Sequence, residues 1–278
     1  MPSDGDALRR IDEFRLRIQE KSCTRKARFR WGTALFHDRL PRVWDLNFLR
    51  VEGAPQDLVA RALVAESDRL QGAAGLEHRM VGIEDNTTGA RISPELRALG
   101  WSAECVVIMV HRRPPYRDAD TTIVREIDED TAGAATEAFT RTQPYGRHDD
   151  TVGQIIEMRR VIARAVPTRH FGAPENGAPV SFCDLYSRDG IGQIEDVATL
   201  EAYRGRGLAT AVVAKALEES IAAGNDITFL TADDDDWPKD LYNKLGFDPL
   251  GYKHSALKHP PGSGDDAAHS ALGGGGSR

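Results

Sequence analysis

A short basic, glycine-rich turn between a strand-like run and a helix-like run constrains this chain more than any other stretch. Residues 193–210 read Q-I-E-D-V-A-T-L-E-A-Y-R-G-R-G-L-A-T. The alternating, apolar-rich run Ile194 to Leu200 predicts a strand, and Arg204-Gly205-Arg206-Gly207 breaks it. Leu208-Ala209-Thr210-Ala211-Val212-Val213 then has helix-forming composition. Strand, glycine turn and helix in that order leave free backbone N–H groups at a helix N-terminus, where those donors and the helix dipole suit a phosphate or pyrophosphate. Glycine lets the backbone approach such a ligand closely, and Arg204 and Arg206 supply charge.

Within this turn, Arg204-x-x-Gly207-x-Ala209 resembles the pyrophosphate-binding motif R/Q-x-x-G-x-G/A of the GNAT superfamily of acyl-CoA-dependent N-acyltransferases. Downstream, Leu241-Tyr242-Asn243-Lys244-Leu245-Gly246-Phe247 resembles the family's L-Y-x-K-L-G-F segment, at a spacing that holds one helix, one strand and a second helix. The alternative is a generic strand-to-helix turn followed by an unrelated helix end. The two segments together favour the resemblance.

What the resemblance implies is an acetyl-CoA site. The backbone of Val197, Ala198 and Thr199 is expected to pair with the pantetheine arm as a neighbouring strand would. Arg204, Gly205, Arg206, Gly207, Leu208, Ala209 and Thr210 are expected to hold the pyrophosphate. Glu201 stands where the family usually has proline, a departure expected to alter the strand exit only. Tyr242 falls at the tyrosine that in many members lies near the CoA sulfur, where a phenol can protonate the leaving thiolate; the alternative is a helix tyrosine packed on the core. Asp235 stands nearest a family asparagine position, although carboxylates in Asp233-Asp234-Asp235-Asp236 also suit the N-terminus of a helix beginning near Pro238.

An attacking amine must lose a proton, and a carboxylate on the central strand is the usual kind of base. Strand alternation sets Gln193, Glu195 and Val197 on one face and Ile194, Asp196 and Ala198 on the other. Glu195 is the first choice, two residues before the expected pantetheine contacts, with Asp196 or Asp184 in its place if the register differs. Any of the three can equally be a hydrogen-bonded structural carboxylate. His148, in a polar loop, is left outside the catalytic set.

With 278 residues the chain can bury one large or two ordinary cores, and 40% hydrophobic with 28% charged content is that of a globular protein. No apolar run has the length of a membrane span, and the N-terminus lacks a signal-peptide pattern. Cys23, Cys105 and Cys183 form neither a disulfide framework nor a ligand cluster, so a reducing cytoplasm is expected and no metal. A net charge of −7 argues against a nucleic-acid partner and slightly favours a cationic acceptor.

In chain order, periodicity predicts a helix over 7–20, strands over 28–36 and 44–51, a helix over 56–70, a strand over 79–83, a helix opened by Ser93-Pro94-Glu95 and a strand over 105–110. The C-terminal half repeats the order strand, helix, strand, helix, Leu-Gly-aromatic, with Leu99-Gly100-Trp101 matching Leu245-Gly246-Phe247. The reading is therefore an α/β (α+β) fold of two tandem GNAT-like domains, each a mixed central sheet flanked by helices. The expected boundaries are 1–117, 118–259 and a flexible tail at 260–278. Glu52-Gly53-Ala54-Pro55-Gln56-Asp57 puts acid where phosphate needs base, so the first copy is expected to be degenerate.

The expected activity is transfer of an acetyl group from acetyl-CoA to a primary amine by direct attack in a ternary complex. The acceptor is a small-molecule or peptide amine, and a homodimer is allowed. The alternatives are a non-catalytic CoA-sensing or partner-binding protein, and a tandem acetyltransferase resembling mycothiol synthase.

Overall fold

The computed structural model describes residues 2–235 and 237–260; the expected tail beyond 260 lies outside them. The first half runs α1 (Asp4–Ser22), β1 (Arg25–Phe29), β2 (Gly32–Phe36), a one-turn helix (Trp44–Leu46), β3 (Phe48–Val51), α2 (Ala60–Ala73), β4 (Arg79–Ile83), α3 (Asn86–Ala98) and β5 (Ser102–His111). The second runs β6 (Arg125–Ile127), α4 (Glu129–Arg141), α5 (Asp149–Ala165), β7 (Thr168–Glu175), β8 (Ala178–Arg188), β9 (Ile191–Thr199), α6 (Leu208–Ala222), β10 (Ile227–Asp233), α7 (Pro238–Lys244) and β11 (Phe247–Lys258).

Several first-half expectations are corrected. The run 28–36 is a hairpin rather than one strand. It folds back at Arg30-Trp31 because Gly32, whose Cβ would lie 2.0 Å from the Arg50 carbonyl oxygen, lets β2 pass tight against β3. Trp44 to Leu46 is a helical turn, and β3 begins only at Phe48. Helix α2 starts at Ala60 rather than Gln56, since the Pro55 and Leu58 carbonyls instead accept from the Arg91 guanidinium at 3.1 and 2.8 Å. Helix α3 starts well before Ser93, because the Asp85 carboxylate caps it by accepting from Thr88 N at 2.7 Å. Ser93 sits inside that helix, its hydroxyl donating to Gly89 O at 2.7 Å.

One eleven-stranded sheet runs through both halves in the order β1-β2-β3-β4-β11-β5-β10-β9-β8-β7-β6. Its pairings are antiparallel except β3 with β4 and β9 with β10. The last strand of each half crosses over: β11 lies between β4 and β5, and β5 lies between β11 and β10. Each half's parallel pair is thereby completed by the other half's final strand.

The two faces of the sheet differ in what covers them. On one, α6 and α7 bury Val212, Val213, Ala216, Tyr242 and Phe247 against Val107, Met109 and Leu230. On the other, Ile11 and Phe14 of α1 and Leu40, Val43 and Leu46 of the first half pack with Met158, Val161 and Ile162 of α5 over Ile108, Tyr186 and Phe229. That second core contains residues of both halves, so truncating fully buried Ile11 to Ala is expected to remove about 2–5 kcal/mol. The segment leaving β5 is held too, with Arg112 N and Tyr116 N donating to Gly246 O and Lys244 O at 2.9 Å each.

Candidate active site

Strands β9 and β10 pair only through Ile191↔Ile227, Gly192↔Thr228 and Gln193↔Phe229. Beyond that, β9 continues to Thr199 and β10 to Asp233 without a shared ladder, so the two strands part and one edge of β9 over 194–199 opens. Open main-chain donors and acceptors at a strand edge are a template for an extended, amide-bearing ligand.

Past the strand, Glu201–Tyr203 make one helical turn, and Gly205 and Gly207 take left-handed φ of 74° and 77°. A Cβ at either glycine would meet nothing within 4 Å. Here, glycine serves backbone conformation and leaves room for a ligand. Gly207 is the N-cap of α6 without a side-chain cap, and its carbonyl takes the first helical bond from Ala211 N at 3.0 Å. The N–H groups of Leu208, Ala209 and Thr210 therefore have no helical acceptor. Helices α4 and α5 carry acidic residues in their first turns, whereas α6 carries none. Among the described residues no side chain caps the N-terminus of α6, which its dipole leaves positive, as suits an anion.

A cleft of about 360 Å³ joins these two features. Val197, Ala198 and Thr199 form one wall; Arg204, Gly205, Gly207, Leu208, Ala209 and Thr210 form one end; and Phe139, Trp237, Leu241 and Tyr242 close the rest. Three of the expected site residues, Arg206, Asp235 and the buried Glu195, are not part of this lining. Arg206 lies over the Tyr203 ring, its guanidinium carbon 5.0 Å from the centroid, and 3.6 Å from Glu175. Asp235 is exposed, its N–H donating to Asp233 Oδ1 at 2.9 Å. Arg204 folds back on β9, its Nε donating to Thr199 O at 3.4 Å. Tyr242 both lines the cleft and packs in the core, edge-on to Phe247 at 6.5 Å between ring centroids.

The expected alternation along β9 fails at Asp196. Opposite β8, pairing shifts between Phe182↔Ala198 and Asp184↔Glu195, and Asp196 adopts a left-handed φ of 54°. This is a β-bulge, which re-aims side chains beside it. Val197, Ala198 and Thr199 all reach the cleft as a result. Glu195 is buried, accepting from Gln193 Nε2 and from Thr231 Oγ1, the latter at 3.3 Å. Burial first, then the neighbouring Asp196 charge, pushes its carboxyl up to about 8. Asp196 is raised to about 7, chiefly by burial, against the pull of Arg159 at 3.0 Å. Asp184 moves the other way. It accepts from Arg159 Nη2 at 2.7 Å and from His170 Nδ1 at 2.8 Å, and these partners outweigh its burial.

Sequence reasoning missed Arg159. The signal was present: Arg159 falls four residues after Ile155 and three before Ile162, on the apolar stripe of α5. A charge on such a stripe must find partners inside.

The first half has the same parallel pair without the opening. Strands β3 and β4 pair to their last residues, Val51↔Ile83, and Glu84 N continues to Val51 O at 3.2 Å. Glu52 then accepts from Thr33 and Arg50 at 2.8 Å and from Arg28 at 2.9 Å, while Trp31 Nε1 donates to Asp57 at 3.2 Å. Acid and an indole fill the place of the glycine turn. Among the described residues, no group of three or more His, Cys, Asp or Glu is placed to hold a metal ion. No helix among them is long and apolar enough to cross a membrane.

Residues 124–247 match the family model described as "Acetyltransferase (GNAT) family". No curated protein sequence matches the chain. Among solved structures, a functionally unknown conserved protein from Staphylococcus epidermidis superposes with a TM-score of 0.62 at 15% identity, over 84% of this chain and 93% of that one. A GCN5-related N-acetyltransferase from Kribbella flavida superposes with a TM-score of 0.59 at 19% identity, over 94% and 98%. Another from Sphaerobacter thermophilus gives 0.50 at 19%, over 73% and 70%. At these identities the structures share a fold with this chain.

Proposed function

We propose that the GNAT-family domain carried by residues 124–247 moves an acetyl group from acetyl-CoA to a primary amine by direct attack in a ternary complex. The observation that carries this reading is the parting of β9 from β10 directly beside the bare N-terminus of α6. The edge of Val197–Thr199 would hold the pantetheine arm, and Arg204 to Thr210 would hold the pyrophosphate. The residues present fit that group, with room at Gly205 and Gly207 and first-turn N–H groups at Leu208 to Thr210 that have no helical acceptor.

Acetyl-CoA supplies an activated thioester. Glu195 takes a proton from the acceptor nitrogen, directly or through water, as the new C–N bond forms. Tyr242 gives its proton to the sulfur as the C–S bond breaks. A carboxyl that titrates near 8 is well matched to deprotonating an ammonium near neutral pH. The first half, 1–117, would be a degenerate copy supporting the catalytic unit, 118–259.

Calorimetric titration of acetyl-CoA, followed by thiol release on a panel of polyamines, aminoglycosides, amino acids and peptide N-termini, tests the reading. One site per chain with amine-dependent thiol release is expected. Binding without thiol release would leave a non-catalytic CoA-sensing protein, and absence of binding would overturn the reading altogether.

A further inference from the structure

The bulge at Asp196 is held by one buried guanidinium. Arg159 is 6% exposed, in the middle of α5. Its Nη2 donates to Asp184 on β8 at 2.7 Å and its Nη1 to Asp196 on β9 at 3.0 Å. Asp184 is also fastened to β7, since it accepts from His170 Nδ1 at 2.8 Å. The guanidinium thus ties a helix to two neighbouring strands at the one place where their register slips.

Left-handed φ is strained for a residue with a side chain, so the backbone at Asp196 persists only because its surroundings hold it there. What the bulge separates are the two working flanks of β9. On one side, Glu195 sits buried against Gln193 and Thr231; on the other, Val197, Ala198 and Thr199 line the cleft. A loosened bulge would turn both flanks relative to each other.

We propose, resting on the acyl-transfer reading above, that Arg159 is a positioning residue: by tying Asp196 to Asp184 it sets the Glu195 carboxylate in register with the Val197–Thr199 edge that holds the acyl donor. It touches neither substrate. The planar fork is needed because two carboxylates on different strands are bridged at once, which an ammonium serves poorly.

The test compares wild type with Arg159→Lys, Arg159→Met and Glu195→Gln, measuring melting temperature, acetyl-CoA affinity, and kcat and KM per folded, acetyl-CoA-binding chain. Arg159→Met strands two buried carboxylates and is the variant that risks unfolding, so Arg159→Lys, which keeps the charge, decides the matter. Arg159→Lys is expected to stay folded and keep acetyl-CoA affinity within about threefold, since the α6 turn is untouched. Its kcat is expected to fall about 100-fold, the loss that a misplacement of about 1 Å produces. Amide hydrogen exchange at Val197 to Thr199 should accelerate while the α6 amides stay protected.

Wild-type kcat in folded Arg159→Lys, alongside an inactive Glu195→Gln, would overturn the positioning role alone. So would a lowered melting temperature with unchanged kcat, which is what a merely stabilising residue gives. Full activity in Glu195→Gln would instead remove Glu195 as base, and with it the partner that Arg159 is said to align. A wild-type protein inert on every amine removes both readings together.

Discussion

Leu96 holds in α3 the place that Tyr242 holds in α7. Each stands three residues before a Leu-Gly-aromatic step, Leu99-Gly100-Trp101 or Leu245-Gly246-Phe247, and both are buried. The phenol is thus found in the half whose parallel strands part and is replaced by an alkyl chain in the half whose strands stay paired. Replacing Tyr242 with Phe should keep the core contact with Phe247 and remove only the hydroxyl, the proposed proton donor. The expected outcome is a fall in kcat of about 100-fold or more with acetyl-CoA affinity unchanged, read by steady-state kinetics and calorimetry.

The two arginines of the turn are not equivalent. Arg204 lines the cleft, whereas the Arg206 side chain is 54% exposed and lies over Tyr203. Arg204→Ala should weaken acetyl-CoA binding by about 10- to 100-fold, the loss of one charge-assisted hydrogen bond. Arg206→Ala should weaken it less than about fivefold, the value of an exposed charge. Equal losses in titration calorimetry would show that Arg206 swings into the site when the ligand binds.

Glu195 titrates near 8 in the folded chain against an ordinary value of 4.5, and Asp196 near 7. Glu195 faces Asp196, Gln193 and Thr231, with Arg15 of α1 drawing it down; Asp196 faces Arg159, Asp184, Asp45 and His170. With Glu195 as the proposed base, which acts only unprotonated, kcat/KM should rise with pH and level off above about 8, the steps belonging to the pair. Stability should move oppositely. Between 4.5 and about 8 the folded chain keeps a proton that the unfolded chain has released, so stability falls as pH rises across that window. Glu195→Gln removes this dependence. Its melting temperature should exceed wild type at pH 9, and the gap should narrow toward pH 5. A constant gap across that range would mean that Glu195 is ionised throughout.

Residues 118–259 expressed alone should not fold as a soluble unit. They lack β5, which pairs with β10 over Phe229 to Asp233 and with β11 over Phe247 to Leu257. They also lack the α1 side chains Ile11 and Phe14 that cover Phe229. Co-expression of 1–117 with 118–259 as separate chains should restore solubility and acetyl-CoA binding, checked by co-purification and calorimetry. A well-folded 118–259 would show that the β10–β11 gap can close without β5.

Much of the local structure was legible because its signals are local. Helix α6 and strand β4 fall where composition and alternation set them. The start of α3 was misread because Ser93-Pro94 imitates a helix opening, while the working cap is Asp85. The bulge at Asp196 leaves no mark in the pattern of Ile194 to Leu200, because what makes it favourable is Arg159, distant in sequence. The crossing of β5 and β11 was equally invisible. Strand order depends on which partner each edge meets, which no local run of residues records.

That crossing makes the two halves of the sheet depend on each other. Two copies of one unit that trade their last strands form a swapped homodimer, each incomplete without its twin. Here the segment 112–124 joins the two halves in one polypeptide, so the exchange does not depend on concentration. In the first half, Glu52 and Asp57 stand in the segment where the second half has its glycine turn, and Thr33 and Trp31 donate to them. Each half is thereby a template for the other: it lends its neighbour a strand and receives one in return.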